Sequence, residues 1–239
     1  NQASAMVMLS MSDGRHYQSL VKAEAPSFLV PAQPGQSSVM TEYSTLGAEH
    51  IWEGPDHLMF VFGLLLLVGG GSRLLWTITA FTVGHSVTLA LITLGFFTYP
   101  VSLIEFLIAL SIFVLALELA RKDQGGGRQS LFWRYPWSLA GGFGLLHGMG
   151  FAGALAEIGL PQGSVPLALL FFNIGIEIGQ ILFVALAMTA WWLVSKVLAN
   201  PGFGGRISVS QDRLVIIPIY LLGGLSAMWC IERGLEVLG

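Results

Sequence analysis

Six stretches of this sequence stay apolar for long enough to cross a lipid bilayer, near residues 48–69, 74–97, 101–121, 137–158, 165–196 and 213–237. About 20 residues at 1.5 Å rise span the hydrocarbon, where a helix satisfies all of its own backbone hydrogen bonds. The expected fold class is therefore all-α: a polytopic integral membrane protein built as a bundle of six transmembrane helices. Composition agrees, since 10% of residues are charged and 54% hydrophobic, whereas a soluble domain carries roughly 25% charged residues. Two regions result. Residues 1–45, with Pro26, Pro31, Pro34 and a Gln/Ser run, read as an irregular extramembrane segment. Residues 46–239 form the transmembrane domain.

The connections are short and marked by Gly and Pro: GGGS after Val68, FFTYP at 96–100, KDQGGGRQS at 122–130, GLPQGS at 159–164 and NPGFGGR at 200–206. Orientation follows from the basic residues. Arg73, Arg121, Lys122, Arg128, Arg134, Lys196, Arg206 and Arg213 fall at the first, third and fifth connections, leaving Arg15, Lys22 and Arg233 for the other side. Eight against three puts both termini outside, which in a bacterium means an inner-membrane protein with a periplasmic amino terminus. The first residue is Asn1, and nothing before Tyr43 resembles a secretory leader, so a signal sequence removed upstream is expected. The net charge of −3 argues against nucleic acid as a partner, and the lone Cys230 excludes an internal disulfide framework or a Cys-rich metal site. The bilayer itself is the partner that composition demands, and a homo-oligomer or a larger membrane complex stays open.

Against this apolar background, ionisable and amide side chains recur helix after helix. Glu49, His50, Glu53, Asp56 and His57 crowd the entrance of the first run, His85 lies midway along the second, Glu105 near the outer end of the third, His147 in the middle of the fourth, and Asn173, Glu177 and Gln180 in the fifth. A charge at the bilayer centre costs about 2.5–3.5 kcal/mol on insertion scales, so each invites a functional explanation. Counted from the outer helix ends, His57, His85, Glu105, His147 and Glu177 all fall between the outer interface and the midplane. They can converge on one site open to the outside. Within the first helix, His50, Glu53 and His57 share one face, with Asp56 about a quarter turn away. Imidazoles with carboxylates suit a divalent transition metal such as nickel, cobalt or zinc better than calcium. The candidate ligands are His50, Asp56, His57, His85 and His147, with Glu53, Glu105, Asn173 and Glu177 in support. Glu118, close to Arg121 and Lys122, reads as an interfacial ion pair, and His16 in the tail is uninformative. The small-residue spacings Gly144/Gly148 and Gly175/Gly179 read as close helix packing.

No nucleotide-binding glycine loop with its lysine, HExxH pair or GxSxG elbow occurs, so ATP-driven and serine-hydrolase chemistry gain no support. Four segments, however, resemble the HupE/UreJ family: His50-x5-Asp56-His57, FTVGHSVTLAL, IEFLIALSI and LLHGMGFAGAL, in that order. The resemblance covers about residues 46–195 and the last helix, and leaves the tail outside. It implies a small helical permease for nickel or cobalt, with His50, Asp56 and His57 needed for uptake. A second family motif, FHGxAHGxE, is matched at His147 and Gly148, but Phe151 stands at its second His position and Ala154 at its Glu position. This places the chain in the broader branch of the family.

The expected function is thus a non-enzymatic membrane permease. A divalent cation meets Glu49, His50 and Glu53 at the mouth and passes to Asp56, His57, His85 and His147, while Glu105 and Glu177 fix imidazole tautomers. Metal affinity falls below roughly pH 6, because only neutral imidazole binds metal. Two rivals stand beside it: an intramembrane zinc hydrolase using Ser86 beside His85, and an accessory subunit of a larger complex.

Overall fold

The structure is a computed structural model that describes residues 4–10, 16–22, 35–123, 131–158, 164–198 and 211–238. Its elements are β1 (Ser4–Ser10), β2 (His16–Lys22), α1 (Gln36–Glu53), α2 (Pro55–Val68), α3 (Ser72–Thr93), α4 (Val101–Asp123), α5 (Leu131–Arg134), α6 (Pro136–Ile158), α7 (Val165–Leu198) and α8 (Gln211–Leu238). Two expectations for the amino-terminal part are corrected. Ser4–Ser10 and His16–Lys22 pair as antiparallel strands with Ser4 opposite Lys22, and the first helix begins at Gln36, well before residue 46. Arg15, Arg128 and Arg206, on which the orientation partly rests, lie outside the described residues.

The expected continuous first span is also corrected. The apolar run breaks at Gly54, where α1 and α2 meet at a bend of 78°. The cause is local. Pro55 occupies the first turn of α2, where its missing N–H costs nothing, and its ring disfavours helical backbone at the preceding residue. Gly54 accordingly sits at φ −88°, ψ 96°. Among the described residues, four helices are long and apolar enough to cross a membrane singly: Ser72–Thr93, Val101–Arg121, Val165–Val197 and Ile216–Leu238; the α1–α2 pair reaches that length only when its two bent arms are taken together, as a broken span or a re-entrant loop. The helix at the expected fourth span, α6, is 23 residues long. Among the described residues the structure thus supports an all-helical bundle with four candidate spans, or five if the bent pair counts as one.

The helices pack as three intimate pairs, α1 with α7, α3 with α6 and α4 with α8, and α2 runs among them. Small residues make the first two pairs possible. A Cβ added to Gly144 or Gly148 of α6 would overlap the carbonyl oxygens of Phe81 or His85 on α3, and one added to Gly47 or Gly175 would strike the facing backbone of α7 or α1. Backbones touch at these points, as expected where van der Waals packing, not water exclusion, joins helices. Two apolar clusters flank the polar layer of the bundle. One is centred on Phe60, Leu64, Phe81, Ile112 and Leu115, the other on Ile51, Leu89, Leu155, Phe172 and Ile176. Outward-facing Leu170, Ile174, Ile178, Ile181 and Leu182 give α7 an exposed apolar flank, as a lipid-facing helix requires.

Candidate metal centre

The break at Gly54 creates the geometry of the site. A straight helix would hold His50 and His57 two turns apart, about 10 Å along the axis. The bend folds one ring onto the other instead, and their centroids lie 4.5 Å apart. Glycine is required there for space as well: a Cβ at position 54 would lie 2.8 Å from Nδ1 of His57. His85 comes from α3, with its ring 5.9 Å from His50 and 6.0 Å from His57. Ligand atoms of His50, His57 and His85 all lie within 4.8 Å of one another. The ring of His147, on α6, is 5.0 Å from that of His57. His85 and His147 are wholly buried.

Hydrogen bonding orients two of these rings. Asn173 donates its amide N–H to the Leu169 carbonyl at 2.8 Å, so its oxygen is the atom facing His85 Nδ1 at 3.3 Å. His85 Nδ1–H therefore donates to Asn173, which leaves the lone pair on Nε2. The single hydroxyl proton of Ser111 goes to the Ile108 carbonyl at 2.7 Å. Ser111 Oγ must then accept from His147 Nε2–H across 3.2 Å, leaving the lone pair on Nδ1. In both rings the other nitrogen is buried without a partner, as is Nε2 of His50 and of His57. His57, His85 and His147 are buried and His50 is half-buried, and each keeps one buried ring nitrogen without a partner, a costly arrangement that a ligand for those nitrogens would relieve. An outer partner that fixes the tautomer is the usual companion of a metal-binding histidine.

A cavity of about 170 Å³ opens onto His50, His57 and His147 and is also lined by Asp56, Glu105 and Arg233. It has room for an ion and a few of its waters. Beyond the rings, Phe60 and Phe81 are fully buried, and each packs against His147, at 5.2 and 5.1 Å. They close the far side. A larger groove, about 700 Å³, lies between α3 and α6 and is lined by Trp76, Val83, Trp137 and Leu145 among others, with no ionisable side chain. It has no part in this chemistry.

The structure thus gathers His50, His57, His85 and His147, sets Asn173 behind His85, and puts Asp56 and Glu105 on the cavity wall. It separates the others. Glu53 ends α1 exposed and is not among the cavity-lining residues. Glu49 is exposed as well. Glu177 accepts a hydrogen bond from Thr79 at 2.5 Å, in a separate polar layer with Thr82 and Gln180, 3.1 Å apart. The outer partners of the imidazoles are therefore an amide and a hydroxyl, Asn173 and Ser111, and not the two carboxylates expected for that role. Glu118 is buried on α4.

Sequence reasoning missed Ser111, Phe151 and the role of Arg233 at the mouth. Phe151 stacks on Phe172 with centroids 5.1 Å apart and packs on His50 at 3.8 Å, holding that ring from the side. Arg233 pairs with Asp56 at 2.9 Å.

A helical membrane protein with a buried polyhistidine cluster beneath a carboxylate is the class these features define. The sequence model of the HupE / UreJ protein family matches residues 27–233, nearly the whole chain, and the protein belongs to that family, one associated with nickel and cobalt transport. No curated protein and no solved structure matches the chain significantly.

Proposed function

We propose that the protein is a permease that carries a divalent transition-metal ion, nickel or cobalt, across the membrane through the histidine site. The observation that carries this reading is the set of unused ring nitrogens on His50, His57, His85 and His147, all buried and all without partners. Imidazole selects borderline ions such as nickel, cobalt, copper and zinc over magnesium and calcium, which prefer oxygen. The broken helix supports transport in particular. Substrate sites of many transporters form at interrupted helices, where irregular backbone lines a cavity. Here His50 lies in the last turn of α1, at the negative end of that helix dipole, which favours a cation.

In this reading the ion enters from the outside past Asp56 and Glu105, exchanges water for imidazole nitrogen, and waits above Phe60 and Phe81. Release inward requires those two rings to part, which makes the apolar inner half a closed gate and not a gap in the path. The hydrolase alternative gains nothing from Ser86, whose hydroxyl donates to the Thr82 carbonyl at 2.7 Å. Reconstitution into proteoliposomes tests the proposal. Nickel or cobalt applied outside should accumulate in vesicles holding the wild-type chain and not in vesicles holding His57→Ala. Equal accumulation in the two, or none above empty vesicles, would refute it.

A further inference from the structure

The cavity that would receive a cation already contains one. Arg233 reaches it from α8 and is fixed at three points: Nη2 donates to Asp56 Oδ2 at 2.9 Å, Nη1 donates to the Glu105 carbonyl oxygen at 3.1 Å, and the guanidinium lies 5.4 Å from the Trp229 ring centre. Two of these anchors belong to α4 and α8, so the guanidinium stays in place whatever α2 does. Asp56 spends Oδ2 on the arginine and keeps Oδ1 buried without a partner. Its neighbour His57 is one of the unpartnered imidazoles. A carboxylate already paired with a fixed guanidinium cannot also give its full charge to a cation entering the cavity. A dication bound to the imidazoles is also repelled by the guanidinium.

We propose that Arg233 is a positioning and specificity residue that competes with the transported ion for Asp56, holding the centre electrically near neutral so that the ion binds reversibly. The inference rests on the transport reading above. With Arg233 in place, Asp56 cancels the guanidinium and the ion is held by neutral imidazoles alone. Without it, Asp56 becomes a free anionic ligand and the same ion is trapped. Hard dications gain most from a bare carboxylate, so Arg233 also favours imidazole-seeking ions.

The test is a titration of the detergent-purified full chain with cobalt(II), read by its visible ligand-field absorption, beside cobalt uptake into proteoliposomes. Arg233→Gln should bind cobalt about tenfold more tightly and transport it more slowly at saturation, so that KM and the maximal rate fall together. The double variant Asp56→Asn/Arg233→Gln should return affinity to near the wild-type value, because the freed carboxylate is gone. Arg233→Lys, which keeps the charge, should stay close to wild type and serves if the Gln variant fails to fold. A merely structural arginine predicts weaker binding and slower transport in Arg233→Gln, with no recovery in the double variant. That result, or unchanged affinity in Arg233→Gln, overturns the proposal; so does an affinity raised about tenfold in Arg233→Lys, which keeps the charge. Failure of the wild-type chain to bind cobalt at all would instead overturn the transport reading on which this one stands.

Discussion

Ser111 has one hydroxyl proton, and Ile108 takes it. That fact decides which nitrogen of His147 offers a lone pair, and it gives Ser111 a role no sequence pattern announces. Serine bonds back to its own helix so commonly that it is unremarkable in an apolar run. Only the packing of α4 against α6 shows the second partner. Replacing Ser111 with Ala should weaken metal binding about tenfold, the low end for an outer-sphere partner of a metal ligand, and leave the thermal midpoint close to wild type. An unchanged titration would remove Ser111 from the site. Asn173→Leu should act in the same direction through His85. The histidines themselves were legible because ionisable groups stand out in segments that must be apolar. Arg233 was legible only as a basic residue on the minority side of the membrane, since its partner lies 177 positions away in the chain.

At the scale of elements, the decisive feature is the pentapeptide EGPDH at 53–57. Read by hydropathy, it is the polar start of one long span. Read by backbone preference, Gly-Pro is a break, and the break is what folds His57 back to His50. Helical periodicity would place His50, Glu53 and His57 on one face; the break instead brings the two histidines together by folding the chain, and leaves Glu53 exposed and off the cavity wall. Gly54→Ala should displace the His57 ring, because the new methyl meets Nδ1, and should lower metal affinity more than stability. Metal titration and thermal unfolding of the same preparation separate the two. Glycines elsewhere sort by what faces them. Gly144→Val forces a side chain into the α3 backbone and should cost about 1–3 kcal/mol or more. Gly153, with nothing within 4 Å of an added Cβ, should accept Ala with neutral effect or a gain of about 0.5–1 kcal/mol. Unfolding of the pair in detergent checks both; similar effects would refute the claim that backbone contact joins α3 to α6.

For the whole molecule, the three helix pairs enclose α2, so the site draws on helices from three separate pairings and does not exist in any one of them. That assembly was not readable from the sequence, because hydropathy marks spans without saying which of them touch. One end of the bundle carries Arg73, which donates to the Trp133 carbonyl, Arg134 over Tyr135 and Lys196 over Trp192 at 4.0 Å. Basic and aromatic side chains together are the pattern that the expected orientation requires of its cytoplasmic interface. In a Cys230→Ala background, Phe97→Cys should react with a membrane-impermeant maleimide added outside intact cells, and Trp137→Cys only after permeabilisation; the reverse pattern would invert the topology. The central claim is the polyhistidine centre itself, and X-ray absorption of the nickel- or cobalt-loaded, detergent-purified chain tests it most directly. The account predicts about three to four imidazole nitrogens as ligands, as imidazole-bound transition metals show, and loss of that signature in His57→Ala. A shell of oxygen ligands alone, or an unaltered spectrum in His57→Ala, would contradict it.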